Sequence, residues 1–333
     1  MRAIKSSLLK QKYRQAMEKK LNYRIRSWSD YNKALEQRGS ITLWFSDETI
    51  KGWRENKSTG KKGRPRIYSA DAILCVLMIR AVYHLPLRAV RGFVSSLITL
   101  LDLGLPVPCY TRICRRAKEL GQDLTKLSRK RPTDIAFDST GVKVYGEGEW
   151  KVRQHGKAKR RTWRKIHLSV CPDSHEIILS ELTHSNKADD LVASQMIPKL
   201  PKSVKTTYGD GAYDRQAFYR SSYVRGIDPV VPPRRRGTLS QETDKPWMKK
   251  RNDNLKVIQG LGGDDEARQL RKKLSGNHRR SLAETAMYRF KRSFGGDFRS
   301  RKLDYQRAEL YAKSLVMNKM TELGMPQGQW VLT

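Results

Sequence analysis

The sequence predicts a mixed α/β protein in which helices cover a sheet and a basic helical region precedes it. Three observations predict this. Between residues 130 and 232 short apolar runs come first as strands and then alternate with helical patterns, and basic helices follow. Between 69 and 122, two apolar segments of helical period are followed by a basic one. Hydrophobic residues make up 38% of the 333 residues, enough for a core. At roughly 100–200 residues per domain, two or three units are expected.

The elements follow in chain order. Residues 1–54 read as a basic helical region, with Trp28, Trp44, Phe45 and Ile50 forming a small apolar face. Residues 55–68 read as a basic linker, polar and punctuated by Gly and Pro. Residues 69–122 read as a helix-turn-helix-like DNA-binding unit. Ser69 caps its first helix, where Ile73, Leu74, Leu77, Met78 and Ala81 carry the period. Pro86 interrupts before a second helix over 87–103. Pro106 and Pro108 close that segment, and a short third helix over 110–120 is rich in Arg and Lys.

From 130 to 232 the texture becomes that of a sheet. Strands are expected over 133–137, ending at Asp138, and over 141–145, 163–171 and 175–183, the last two joined by Pro172-Asp173-Ser174. A helix over 187–200 precedes a strand over 204–208 that leads to Asp210. A helix over 213–223 and a strand over 227–231 complete the pattern. Residues 233–275 read as a largely helical insertion that contains Trp247 and breaks at Gly260. The last helices fall in 276–325.

Charge narrows the function. Lys and Arg number 68 against 33 Asp and Glu, a net charge of +35. Such an excess opposes a compact state unless a polyanion neutralises it, which points to nucleic acid. No apolar run is long enough to span a bilayer, so no membrane partner is expected. No apolar block follows the basic N-terminus, so no signal peptide is expected. Cys75, Cys109, Cys114 and Cys171 form no Cys-x-x-Cys pair, and free thiols in a reducing, nucleoid-associated cytoplasm are the default. The six histidines show no metal-ligand spacing. No phosphate-binding Gly-Lys-Ser/Thr loop is present, so no nucleotide cofactor is expected.

Three acids stand out. Asp138 follows an apolar strand and precedes Ser139-Thr140-Gly141. Asp210 lies in Tyr-Gly-Asp-Gly-Ala-Tyr-Asp over 208–214. Glu284 lies on a helix among Arg279, Arg280, Arg289, Lys291 and Arg292. A carboxylate at a buried strand end needs a partner, and a divalent ion is one. Two ions held by three carboxylates would clamp a scissile phosphate for in-line displacement. Gly209 and Gly211 would let a phosphate backbone approach closely. Each acid also has an ordinary reading: Asp138 could cap a turn, Asp210 could be a turn residue, and Glu284 could pair with Arg280. Asp214, the nearest competitor of Asp210, is better placed to N-cap the following helix. Asp134 lies at the strand's start, away from the turn. Asp189 and Asp190 suit a helix start.

Taken together, these motifs resemble those of bacterial insertion-sequence transposases with a DDE triad, in particular the IS-five-like group. The Asp-Ser-Thr segment at Asp138 and the block around Asp210, Tyr213 and Asp214 match. So does the helix pattern Arg280, Glu284, Lys291, although Asn277 stands where that pattern has Tyr. The resemblance spans about residues 62–320. It implies an RNase H-like catalytic domain using Asp138, Asp210 and Glu284 with Mg²⁺, or Mn²⁺ in its place. It also implies cleavage at terminal inverted repeats and strand transfer to target DNA.

Candidate DNA contacts follow. Gly63-Arg64-Pro65, with Arg66, resembles an AT-hook core suited to a narrow minor groove. Thr111, Arg112, Arg115 and Arg116 lie on the helix best suited to the major groove. Lys157, Arg160 and Arg161 belong to a basic run between Trp150 and Trp163. Trp247 could stack on an unpaired base, although an aromatic in an insertion more often builds its small core. Arg280 and Lys291 share a helix face with Glu284. Cutting both ends of an element calls for a homodimer on double-stranded DNA. The rival readings are a non-catalytic DNA-binding regulator and a nuclease that only hydrolyses.

Overall fold

The computed structural model describes residues 21–56, 65–123, 127–128, 130–144, 163–240 and 245–332. Strand β1 (Leu21–Ile25) opens the described chain, followed by the helices α1 (Trp28–Gln37), α2 (Ile41–Trp44) and α3 (Asp47–Lys51). Next come α4 (Ala70–Val82), α5 (Leu87–Leu100) and α6 (Tyr110–Asp123). The sheet region supplies β2 (Asp134–Val144), β3 (Trp163–Val170), β4 (Ile177–His184), α7 (Asp189–Met196), β5 (Thr206–Tyr208), α8 (Gln216–Val224) and β6 (Asp228–Val230). Then follow α9 (Lys249–Gly260), α10 (Asp265–Leu274), α11 (Ser281–Phe294), β7 (Asp297–Phe298), α12 (Leu303–Leu323) and β8 (Gly328–Leu332).

The N-terminal region is not purely helical. β1 pairs antiparallel with β8, and Leu21 faces Leu332. Its partner lies some 300 residues away, beyond the reach of any local pattern. Behind it, Trp44 and Phe45 are buried as expected of an apolar face, whereas Trp28 is exposed.

Helices α4 to α6 follow their periodicity. The Ser69 hydroxyl accepts the Ala72 N–H and caps α4. Pro86 sets the entry to α5, which leaves α4 at 111°. No single helix among the described residues is long and apolar enough to cross a membrane. α6 packs on α4 and α5, and also along α12.

The main sheet is mixed, with order β4-β3-β2-β5-β6. β3 runs antiparallel to both β4 and β2, while β5 and β6 run parallel to β2. β7 pairs parallel with the far end of β2, at Lys143 and Val144. Helices cover both faces. Ile135 and Phe137 point into one core with Val192, Met196, Tyr213 and Phe218. Ala136 and Val142 point into the other, against Ala283, Met287 and Phe290 of α11 and Val316 and Met317 of α12. The alternation follows from the two-residue period of a strand.

One expectation is corrected here. The segments read as two strands, 133–137 and 141–145, form the single strand β2, so Asp138 lies within a strand and not at its end. Gly141 is expected to start the second of these strands. In the sheet its bare backbone instead receives the Trp163 ring, 3.5 Å from where a Cβ would stand. Within the insertion, α9 ends at Gly260, and α10 starts at a cap where Asp264 accepts the Ala267 N–H.

Candidate active site

Strand register brings the two aspartates together. β2 and β5 run parallel, and their last paired residues are Ala136 and Tyr208. Asp138 lies two residues beyond Ala136, and Asp210 two residues beyond Tyr208. Side chains two apart along a strand share a face, so Asp138 points to the same side as Ala136, the side covered by α11. β5 stops after Tyr208, and β7 does not meet β2 until Lys143. Along that edge residues 137–142 of β2 have no strand neighbour among the described residues, and Asp138 sits in the gap.

Glu284 comes from the first turn of α11, which packs on β2 and β3. The charges register this meeting. Burial pushes the Asp138 carboxyl up to about 6; the Ser139 N–H and Arg280 pull it back, while Glu284 and Asp210 push it further up. Tyr213, buried below the aspartates beside Phe137, has its phenol raised well above its ordinary value by burial, with Asp189, Asp138 and Asp210 adding to it.

Each acid also has a protein partner. Asp138 Oδ1 accepts the Ser139 N–H at 2.8 Å, and Asp210 Oδ1 accepts the Ala212 N–H at 2.8 Å. Glu284 is ion-paired with Arg280, its side chain 51% exposed. Among the described residues no group of three or more His, Cys, Asp and Glu side chains is drawn together as a ready-made ion cage. The donor set nevertheless suits a hard divalent cation: three carboxylates, one of them half-buried with its carboxyl pushed up by burial and by the other two acids.

Gly209 takes a different role from the one expected. A Cβ on Gly209 would stand 2.8 Å from the Tyr213 ring, so the space beside Gly209 is filled by that ring and not left open for a phosphate. Gly211 has only the Pro232 carbonyl nearby, at 3.8 Å.

Asp214 is not a helix cap: Arg215 holds the N-cap position of α8, without a side-chain bond. The Asp214 side chain is fully buried and accepts from Tyr219 Oη, Arg234 N and Arg251 Nε at 3.2, 2.8 and 2.9 Å. It therefore ties the insertion to the turn that carries Asp210. Asp134, set aside as pointing elsewhere, binds Arg279. Asp189 lies in the first turn of α7 and pairs with Lys165.

The other candidates are dispersed. Thr111, Arg112 and Arg115 face solvent on α6, whose Ile113 and Ala117 are buried. Arg112 lies 5.6 Å over the Tyr68 ring. Arg116 is inward, donating to the Tyr68 carbonyl and pairing with Glu119, which also receives Arg66 at 2.9 Å. Lys291 is exposed in the last turn of α11. Trp247 packs beside Tyr223 and under Arg220 of α8, against the sheet core that holds Val192 and Phe218, so it docks the insertion on the sheet and does not build a separate core. Arg64, Lys157, Arg160 and Arg161 lie outside the described residues.

Sequence reasoning passed over Arg279 and left Asn277 without a role. A signal for Asn277 was its place in the helix pattern, three residues before Arg280, with a residue type other than the expected one.

Two protein-family models, both described as Transposase DDE domain, match residues 36–147 and 129–319. A solved structure of a piggyBac transposase synaptic complex with hairpin DNA aligns over 91% of this chain and 83% of that one. The identity is 8% and the TM-score 0.25, too low to establish a shared fold.

Proposed function

Because this chain belongs to the DDE transposase family, a family of metal-dependent enzymes that cut and join DNA, we propose that it mobilises an insertion sequence. It binds the terminal inverted repeats, cuts at the element ends and joins the freed 3′-hydroxyls to target DNA. Asp138, Asp210 and Glu284 hold the divalent ions on an RNase H-like sheet. Mg²⁺ is the natural ion, and Mn²⁺ substitutes. The observation that carries this reading is the shared register of Asp138 and Asp210 beneath the helix of Glu284.

Bound divalent ions supply Lewis acidity at the scissile phosphate and lower the pKa of the attacking hydroxyl. The chain's own residues do the rest. The acid-bearing strands set where a phosphodiester must lie, and Lys291 steadies the strand beside it. In the first step water attacks phosphorus, the P–O3′ bond breaks, and the element end leaves as a 3′-hydroxyl. In the second step that hydroxyl attacks a target phosphodiester; one P–O bond forms and one breaks. Both are in-line displacements, so one site serves both. Helices α4 to α6 act as a helix-turn-helix-like unit, with Thr111, Arg112 and Arg115 toward DNA. Cutting two ends calls for a homodimer on DNA.

The pairing of Glu284 with Arg280 favours a second reading, a DNA-binding regulator that does not cut. One experiment separates the two. Purified protein is incubated with a repeat-bearing duplex, with and without Mg²⁺. Nicking only with the ion, lost in Asp210→Ala while binding persists, supports the transposase. Binding without metal-dependent nicking supports the regulator.

A further inference from the structure

We propose that Asn277 and Arg279 are positioning residues that set Glu284 against the two aspartates. This rests on the reading of Asp138, Asp210 and Glu284 as the ion-binding set.

Both residues lie in the short 3₁₀ turn Asn277–Arg280, which runs directly into α11. Gly276 starts it with φ +69°, a left-handed conformation that suits glycine although the space around it is open. Asn277 is fully buried. Its Nδ2 donates to the Gly209 carbonyl at 3.1 Å and to the Val230 carbonyl at 2.8 Å. Both neighbours are acceptors, so only the NH₂ side of the amide can face them. Gly209 immediately precedes Asp210, and Val230 ends β6. One side chain thus bridges the ends of two neighbouring strands and fixes them to the root of the Glu284 helix.

Arg279 makes a second bridge. Its Nη1 binds Asp134 and its Nη2 binds Asp173, and its guanidinium lies 5.6 Å over the Tyr208 ring. Asp134 starts the strand that carries Asp138, and Tyr208 ends the strand that leads to Asp210. The turn therefore touches the strand that carries Asp138 and the strand that leads to Asp210, through residues five and seven positions before Glu284. Asn277, at the place where the resembled pattern has Tyr, faces inward as a brace and is unavailable to DNA.

Mg²⁺ and Mn²⁺ demand a defined ligand geometry, and residues that hold ligands in place tune affinity by about 10–100-fold. Removing the amide of Asn277 frees α11 to shift relative to β5. A readout independent of catalysis is Mn²⁺ binding to the full-length protein, followed by electron paramagnetic resonance. The set is wild type, Asp210→Ala, Asn277→Ala and Arg279→Gln, each checked for a folded state by circular dichroism. Asp210→Ala tests the ion-binding set: if wild type binds no Mn²⁺, or Asp210→Ala binds as wild type does, that reading and this proposal both fall. If Asp210→Ala loses the ion, Asn277→Ala is expected to bind at least about tenfold more weakly, and Arg279→Gln by a smaller factor. Arg279 is partly exposed, so its variant provides the test should Asn277→Ala not fold. Wild-type Mn²⁺ affinity in a folded Asn277→Ala, or in Arg279→Gln when Asn277→Ala does not fold, would overturn the proposal and leave the ion-binding set standing.

Discussion

Asp138 and Glu284 meet their surroundings in opposite ways. Asp138 sits within β2, bonded into the sheet by β3 on one side, with Phe137 beside it in the core. Burial and the other two acids push its carboxyl up to about 6. Glu284 sits on the outer side of the first turn of α11, half in solvent, with Arg280 one turn away. The half-buried acid is offset only in part, by the Ser139 N–H and Arg280, while the exposed acid is paired directly with a cation. On the proposed reading, a divalent ion would stabilise the charged form of Asp138 and compete with Arg280 at Glu284.

The largest test of this contrast is catalytic. Asp138→Ala and Glu284→Gln should each lower metal-dependent nicking by about three orders of magnitude or more, as losses of essential active-site groups do. Near-normal nicking by Glu284→Gln would reduce Glu284 to a surface ion-pair partner and break the contrast.

The next effect is on stability. The folded carboxyl of Asp138 titrates near 6 against an ordinary value of 3.8. A raised carboxyl is protonated at no cost below the unfolded pKa, and stability is lost as pH rises through the folded one. In chelator, Asp138→Asn should be more stable than wild type above about pH 7, by on the order of 2 kcal/mol. The gap should close as pH falls from 6 toward 4. Thermal melts across that range check it, and adding Mg²⁺ at pH 7.5 should stabilise wild type alone. A gap that ignores pH would mean that the Asp138 charge is already compensated.

The smallest effect falls on the exposed side. Arg280→Ala removes an i,i+4 surface pair, worth about 0.5 kcal/mol or less. Chemical denaturation should register almost no change, even where nicking falls. A loss of several kcal/mol would place Arg280 in the fold rather than in the site.

Much of this molecule is written locally in its sequence. The apolar period and Ser69 cap of α4, the Pro86 start of α5 and the Asp264 cap of α10 are decided within a turn or two of chain. The Asp-Ser-Thr and Gly-Asp-Gly segments mark the aspartates, and helical spacing aligns Arg280 with Glu284. What tertiary structure decided is of another kind. It joined two apparent strands into β2, paired β1 with β8 across the length of the chain, and set Ala136 beside Tyr208 so that Asp138 and Asp210 fall side by side. It turned Asp214 from a cap into an anchor for Arg251 and made Asn277 a brace. Periodicity and capping are energies of near neighbours, whereas strand register and the partners of buried polar groups depend on residues tens to hundreds of positions away.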